Sequence, residues 1–179
     1  VNKSVLASAV LAAAAAAAPC ALAEVKDAAA DGFTVENSQW VPASPEIAWK
    51  ALAHDVGRWW PADHTWWGDA SKLSISEKAG GCFCEINGAQ EAWHMTVTFV
   101  DPGKLMRMTG GLGPLQGMGL SGALEWRFAP ENDGTRITLH YRVGGYSPDD
   151  LSKFAPAVDK VQGLQLTGLA NYLRASAKP

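Results

Sequence analysis

Two short stretches concentrate residue types that do chemistry. "GGCFCE" sets Cys82 and Cys84 two apart with Glu85 directly after, and "RWWPADHTWWGD", 58–69, gathers four of the chain's eight tryptophans around His64. In a regular strand, residues i and i+2 share a face at about 6.5–7 Å. A disulfide needs its Cβ atoms at roughly 3.5–4.5 Å. A regular strand therefore does not bridge the pair, which leaves free thiols, a redox pair on a bulge, or two ligands of a soft metal. With His94 on the next strand, Cys82 and Cys84 would suit zinc or copper. A fourth ligand, a CxxC pair and an HExxH motif are all missing from the sequence, so metal is the minor reading and no cofactor is expected. Glu85 shares a face with Phe83. If that face is inward, Glu85 is a buried carboxylate able to act as acid or base; otherwise it is a surface residue near a strand end. His64, beside Asp63, is the other acid/base candidate. His64 and Glu85 are the two catalytic candidates, and whether the protein is an enzyme stays open.

Each buried indole removes about 150–250 Å² from water. Four of them can line a pocket or plug one end of a small core. Two suit a plug, and Trp66 and Trp67, in the looser stretch before Gly68, suit ligand contact best.

The elements that would position these residues follow from pattern. Residues 1–23 carry Lys3, an apolar run and Ala21-Leu22-Ala23, which reads as a secretory signal peptide. The run is short for a membrane span, so no span is expected after cleavage and the location is periplasmic or secreted. Residues 24–32 read as a flexible spacer and 33–179 as one domain. A net charge of −3 with scattered signs gives no footprint for nucleic acid.

"FTVENSQWV" alternates as a strand. "ASPEIAWKALA" follows as a short helix, with Ser44 as cap, Pro45 at its first position, and Ile47, Ala48, Ala51 and Leu52 buried. Six more alternating runs with short turns then form an antiparallel meander. In "EAWHMTVTFV", Trp93, Met95, Val97 and Phe99 take the inner face, and His94, Thr96 and Thr98 the outer. "GGLGPLQGMG", 110–119, reads as a flap over a cavity; no P-loop Lys follows, and no helix is expected there. From Pro156 on, Val158, Val161, Leu164, Gln165, Leu169 and Tyr172 or Leu173 recur at helical spacing. Gly163 and Gly168 in that helix point to a close approach or to room for a ligand. The expected fold is α+β: a helix-grip, seven-stranded curved antiparallel sheet around a long C-terminal helix, with short helices after the first strand.

"ASPEIAWKAL", "VGRWWPADHTWWGD", "KAGGCFCE", "HMTVTFVDPGKLMRMTGGLGPLQGMGLSGALEW", "GTRITLHYRVGGY" and "PAVDKVQGLQLTGLANYL" together resemble the START/SRPBCC superfamily. That superfamily includes the birch pollen allergen fold and polyketide cyclase/dehydrase-like proteins. The resemblance runs from about Phe33 to the C-terminus and implies an internal apolar cavity between sheet and C-terminal helix. It also implies a narrowed mouth, since a smaller residue is usual where Trp66 or Trp67 stands.

The function expected is an exported binding protein for a small apolar or aromatic, lipid- or polyketide-like molecule. Trp59, Trp66, Trp67, Trp93, Met106, Leu115, Met118, Tyr141 and Leu166 would supply walls, and His64 and Gln162 polar contacts. A cyclase, dehydratase or hydrolase using the same cavity is the first alternative. An envelope protein-interaction or chaperone-assisting module is the second. The oligomeric state is left open.

Overall fold

The computed structural model describes residues 22–177, with side chains from Glu24 onward. Residues 1–21, which hold most of the expected signal peptide, lie outside the described residues. Eight strands form one open, curved antiparallel sheet: β1 (Leu22–Ala29), β2 (Gly32–Val41), β3 (Leu73–Ile75), β4 (Cys82–Asn87), β5 (Gln90–Asp101), β6 (Leu105–Gly110), β7 (Ser121–Glu131) and β8 (Gly134–Gly144). Their spatial order is β1-β2-β8-β7-β6-β5-β4-β3. Among the described residues four α-helices accompany them: α1 (Pro45–His54), α2 (Val56–Trp59), the single-turn α3 (Pro114–Gly117) and the long α4 (Ala155–Ser176). The architecture is the helix-grip one, with α4 packed against β1, β2, α1 and α2. Among the described residues, no helix is long and apolar enough to cross a membrane.

The eighth strand is the stretch expected as a spacer. Glu24–Ala29 is not a free tether: it pairs with β2 as an edge strand, Val25 opposite Val35 and Ala29 opposite Gly32. Its polar, alanine-rich composition hid the strand, and suits an edge with one face open to water.

Helix α1 begins where the Ser44-Pro45 signal places it, the Ser44 hydroxyl accepting the Ile47 N–H. Its buried face is rotated from expectation. Trp49 is buried in place of Ile47, which is exposed, because Trp49 stacks edge-on to Phe128 of β7. The β2 inner face carries Asn37 and Gln39 between Val35 and Val41. These polar groups are buried because α4 answers them: Asn37 Nδ2 donates to Asp159 Oδ1 at 2.8 Å and Gln39 Nε2 to Thr167 Oγ1 at 2.8 Å. Arg174 adds a bond to the Trp40 carbonyl at 2.8 Å. One flank of α4 is thus fastened to β2 along its length.

The two helix glycines mark close approaches. A Cβ at Gly168 would sit 2.3 Å from the Trp59 carbonyl oxygen, and one at Gly163 would sit 2.8 Å from Asn37 Oδ1. Leu164 turns outward and Leu166 inward on the helix actually formed.

Helix propensity alone makes Gly168→Ala a gain of about 1 kcal/mol. The contact with the Trp59 backbone reverses that sign. Urea denaturation of Gly168→Ala should show a net loss of about 1–3 kcal/mol, the range for an overpacked interior.

Candidate functional site: a cavity between the sheet and the last helix

The tryptophan-rich stretch divides into a plug and a rim. Trp59 and Trp60 are core residues. The Trp59 ring stacks against Trp60 and Trp126 at 5.5 and 5.9 Å, and its Nε1–H donates to the Ala51 carbonyl at 2.8 Å. Trp60 stacks on Phe83 at 5.1 Å and donates to the His64 carbonyl at 3.0 Å. After Pro61 the chain makes a short 3-10 turn, 62–64, and turns along the rim. There Trp66 is exposed and Trp67 half-buried.

This rim is held by Glu85. Its side chain is 0% exposed, its Oε2 accepts the Trp66 N–H at 3.0 Å, and its Oε1 accepts the Trp67 N–H at 3.1 Å. A third contact comes from His94, whose Nε2 lies 3.2 Å from Glu85 Oε2. The inward reading of Glu85 is the one that holds, and it is inward together with Phe83.

His94 reaches Glu85 through an irregularity that alternation could not reveal. Phe83 of β4 pairs with Met95, but Cys84 pairs with Trp93, so His94 is an extra residue in β5. The alternation reverses at that point. Trp93, expected inside, is 52% exposed, and His94, expected outside, is only 6% exposed. A second shift between Val97 and Phe99 turns Phe99 outward as well.

The β4 side of the same irregularity carries Cys82 and Cys84, joined as a disulfide with Cα atoms 5.4 Å apart. The two residues therefore lie closer than a regular strand sets them. With both sulfurs bonded to each other, the free-thiol and soft-metal readings of Cys82, Cys84 and His94 fall away. Among the described residues, no cluster of three His, Cys, Asp or Glu side chains is placed to hold a metal ion.

Behind the rim, between α4 and the inner face of the sheet, lies a cavity of about 390 Å³. Six expected contact residues line it: His64, Trp66, Leu115, Met118, Tyr141 and Gln162. The other five do not. Trp59, Met106 and Leu166 are spent on the core, Trp67 stands outside the lining, and Trp93 faces out because of the bulge. Pattern reading missed several liners, among them Trp60, Leu73, Leu112, Phe154, Val158, Val161 and Gln165. Gln165 could have been found from its place three residues after Gln162 on an otherwise apolar stripe. His94 also lines the cavity, with Glu85 out of sight behind it.

The segment expected as a flap does cover this space, but it is fastened and contains the helical turn α3. Tyr141 Oη donates to the Gly110 carbonyl at 2.9 Å and accepts the Leu112 N–H at 3.0 Å. Burial pushes the Tyr141 phenol up to about 12, so it stays protonated for this double role. Gln116 Nε2 donates to the Trp93 carbonyl at 2.6 Å and ties α3 to β5. Gly110 and Gly113, at φ 141° and 60°, allow the chain to turn into α3.

A curved sheet gripping a terminal helix, with an apolar cavity between them, defines a helix-grip fold built around a hydrophobic interior site. Residues 32–174 match the family described as polyketide cyclase / dehydrase and lipid transport, and the chain belongs to that family, within the START/SRPBCC superfamily. The sequence matches none of the curated proteins. Solved structures share the fold. The Mll3558 protein from Rhizobium loti is 21% identical with a TM-score of 0.57, the match covering 79% of this chain and 97% of that one. CalU16 from Micromonospora echinospora is 15% identical, TM-score 0.58, over 90% and 88% of the two chains. The Aha1 dimer from Colwellia psychrerythraea is 15% identical, TM-score 0.58, over 81% and 98%.

Burial holds the His94 imidazole below its ordinary value of 6.5, with Glu85 opposing that shift. Below about pH 6.5 the unfolded chain therefore takes up this proton before the folded one does. Stability is fully present above that pH and falls as pH drops toward the folded-state value. His140 on the outer face is held down in the same direction by burial and by Arg127, so the comparison belongs in a His140→Gln background. There, His94→Gln should flatten the fall in urea midpoint between pH 6.5 and 5. Separately, Tyr141→Phe should cost about 1–3 kcal/mol, since it leaves the Gly110 carbonyl and Leu112 N–H unpaired. Hydrogen exchange at Leu112 should rise with it.

Proposed function

We propose that this chain is an exported binding protein that holds one small apolar or aromatic molecule, lipid- or polyketide-like, between α4 and the sheet. The observation that carries the reading is the 390 Å³ cavity, walled by Trp60, Trp66, Leu73, Leu115 and Val158 and entered beside His64. Affinity would come from apolar burial at about 25 cal/mol per Å², with His64 and Gln162 orienting the guest. The family's description as cyclase, dehydrase and lipid transport supports a hydrophobic guest. Export is supported by the signal-like residues 1–23 and by the Cys82–Cys84 disulfide, which suits an oxidising compartment.

A second reading, acid–base catalysis in the same cavity, is favoured by one observation. His94 lines the cavity while its Nε2 faces the buried Glu85 carboxylate. A carboxylate that orients an imidazole by one nitrogen leaves the other available to a bound molecule. The interaction-module alternative requires a filled interior, which the cavity does not favour.

Tryptophan fluorescence titrated with a panel of lipids, polyketides and small aromatics tests the binding reading, since Trp60 and Trp66 line the cavity. Saturable changes with micromolar midpoints are expected, weakened roughly tenfold by Trp66→Ala, as for loss of an aromatic wall worth about 1–1.5 kcal/mol. No response across the panel would contradict the reading. Conversion of a bound panel member, lost in His94→Gln with binding retained, would favour the catalyst instead.

A further inference from the structure

Helix α4 presents two glutamines to the cavity, Gln162 and Gln165, which are 2% and 3% exposed. Their Oε1 atoms are the buried side-chain polar atoms that lack a hydrogen-bond partner among the described residues. The contrast with the other flank of the same helix is informative. There the buried amides of Asn37 and Gln39 are matched to Asp159 and Thr167. Buried polar groups in folded proteins are matched as a rule, and an unmatched one calls for a partner outside the fold.

Two of the cavity's other polar groups are already committed. The Tyr141 hydroxyl donates to Gly110, and His94 Nε2 is engaged with Glu85. The charge of the lining narrows the partner further. It includes one acid, Asp63, two histidines, His64 and His94, and neither lysine nor arginine. A carboxylate or phosphate carried into such a space loses its water without meeting a lysine or arginine.

We propose that the guest is an electrically neutral molecule with an apolar body and a hydroxyl-type donor, and that Gln162 and Gln165 hold that donor at the α4 wall. This deepens the binding reading above and rests on it. A hydroxyl suits the pair in either amide orientation: it donates to Oε1, or accepts from Nε2 if the amide is turned over. Gln162 and Gln165 then select by head group, while the apolar walls select by size.

Three probes of one shape separate the possibilities: naphthalene, 2-naphthol and 2-naphthoate. Equilibrium dialysis at pH 7.5 against the full mature chain and the Gln162→Leu/Gln165→Leu double variant would read them, with a circular dichroism melt confirming that the variant folds. The wild type should bind 2-naphthol most tightly and 2-naphthoate least. The advantage of 2-naphthol over naphthalene should fall about tenfold in the double variant, as expected for one or two lost hydrogen bonds. Should the double variant not fold, the wild-type ranking and either single variant decide. Equal binding of naphthalene and 2-naphthol by the wild type would overturn the inference while leaving the cavity a binding site, since water would then be serving the amides. Tightest binding of 2-naphthoate would overturn it too. If none of the three binds, the binding reading fails and the inference with it.

Discussion

A carboxylate with no exposed surface has to be met by donors, and the mouth of this protein is organised around meeting one. Glu85 receives the N–H groups of Trp66 and Trp67 and faces His94 Nε2. Charge-assisted bonds of this kind are among the stronger ones in proteins. Here they join three separate pieces of chain: strand β4, the rim loop and the irregular turn of β5. With its amides held there, the rim is tied to β4 beside the space next to α4. The exposed Trp66 indole stays at the entrance, and the two indoles before it stay in the core.

The cavity survives for a second reason, which lies in how α4 is attached. The helix is fastened along β2 by Asn37, Gln39 and Arg174, and seated on α2 where Gly168 admits the Trp59 carbonyl. These contacts position it from one side. On the other side it faces the inner sheet with glutamines and small apolar groups, which do not fill the distance. The flap closes the remaining gap and is held by Tyr141 through both of its hydroxyl's bonding directions. The cavity is therefore bounded by the fastened helix, the sheet and the tied flap.

Much of this could be read from residues alone, because the fold obeys local rules. The strand alternation, the Ser44-Pro45 helix start and the helical spacing after Pro156 pointed to a curved sheet around a last helix, and the resemblance to the START/SRPBCC superfamily strengthened that reading. The two glycines of α4 pointed to a close approach or to room for a ligand, and both mark close approaches. What escaped reading depended on contacts between distant segments. A polar, alanine-rich stretch became an edge strand because β2 had an unpaired side to offer. One additional residue at His94 inverted the faces of β5, exchanging Trp93 for His94 at the interior, and no period-two pattern contains that information. Opposite this irregularity, on β4, Cys82 and Cys84 are bonded to each other, which ideal strand spacing did not suggest. For the site, the elements were placed well and the individual walls less so. Trp59, Met106 and Leu166 are apolar enough for either a pocket or a core, and only three-dimensional packing assigns them to the core.

The central claim is physical: the space between α4 and the sheet is open and apolar enough to admit a guest. A crystal structure of the protein under xenon pressure tests it most directly, since xenon enters dry cavities without needing polar contacts. Xenon density beside Leu73, Leu115 and Val158, with the Gln162 and Gln165 amides free of protein partners, is the result expected. A collapsed interior without xenon, in which those two amides bond to the sheet or to the flap, would contradict it.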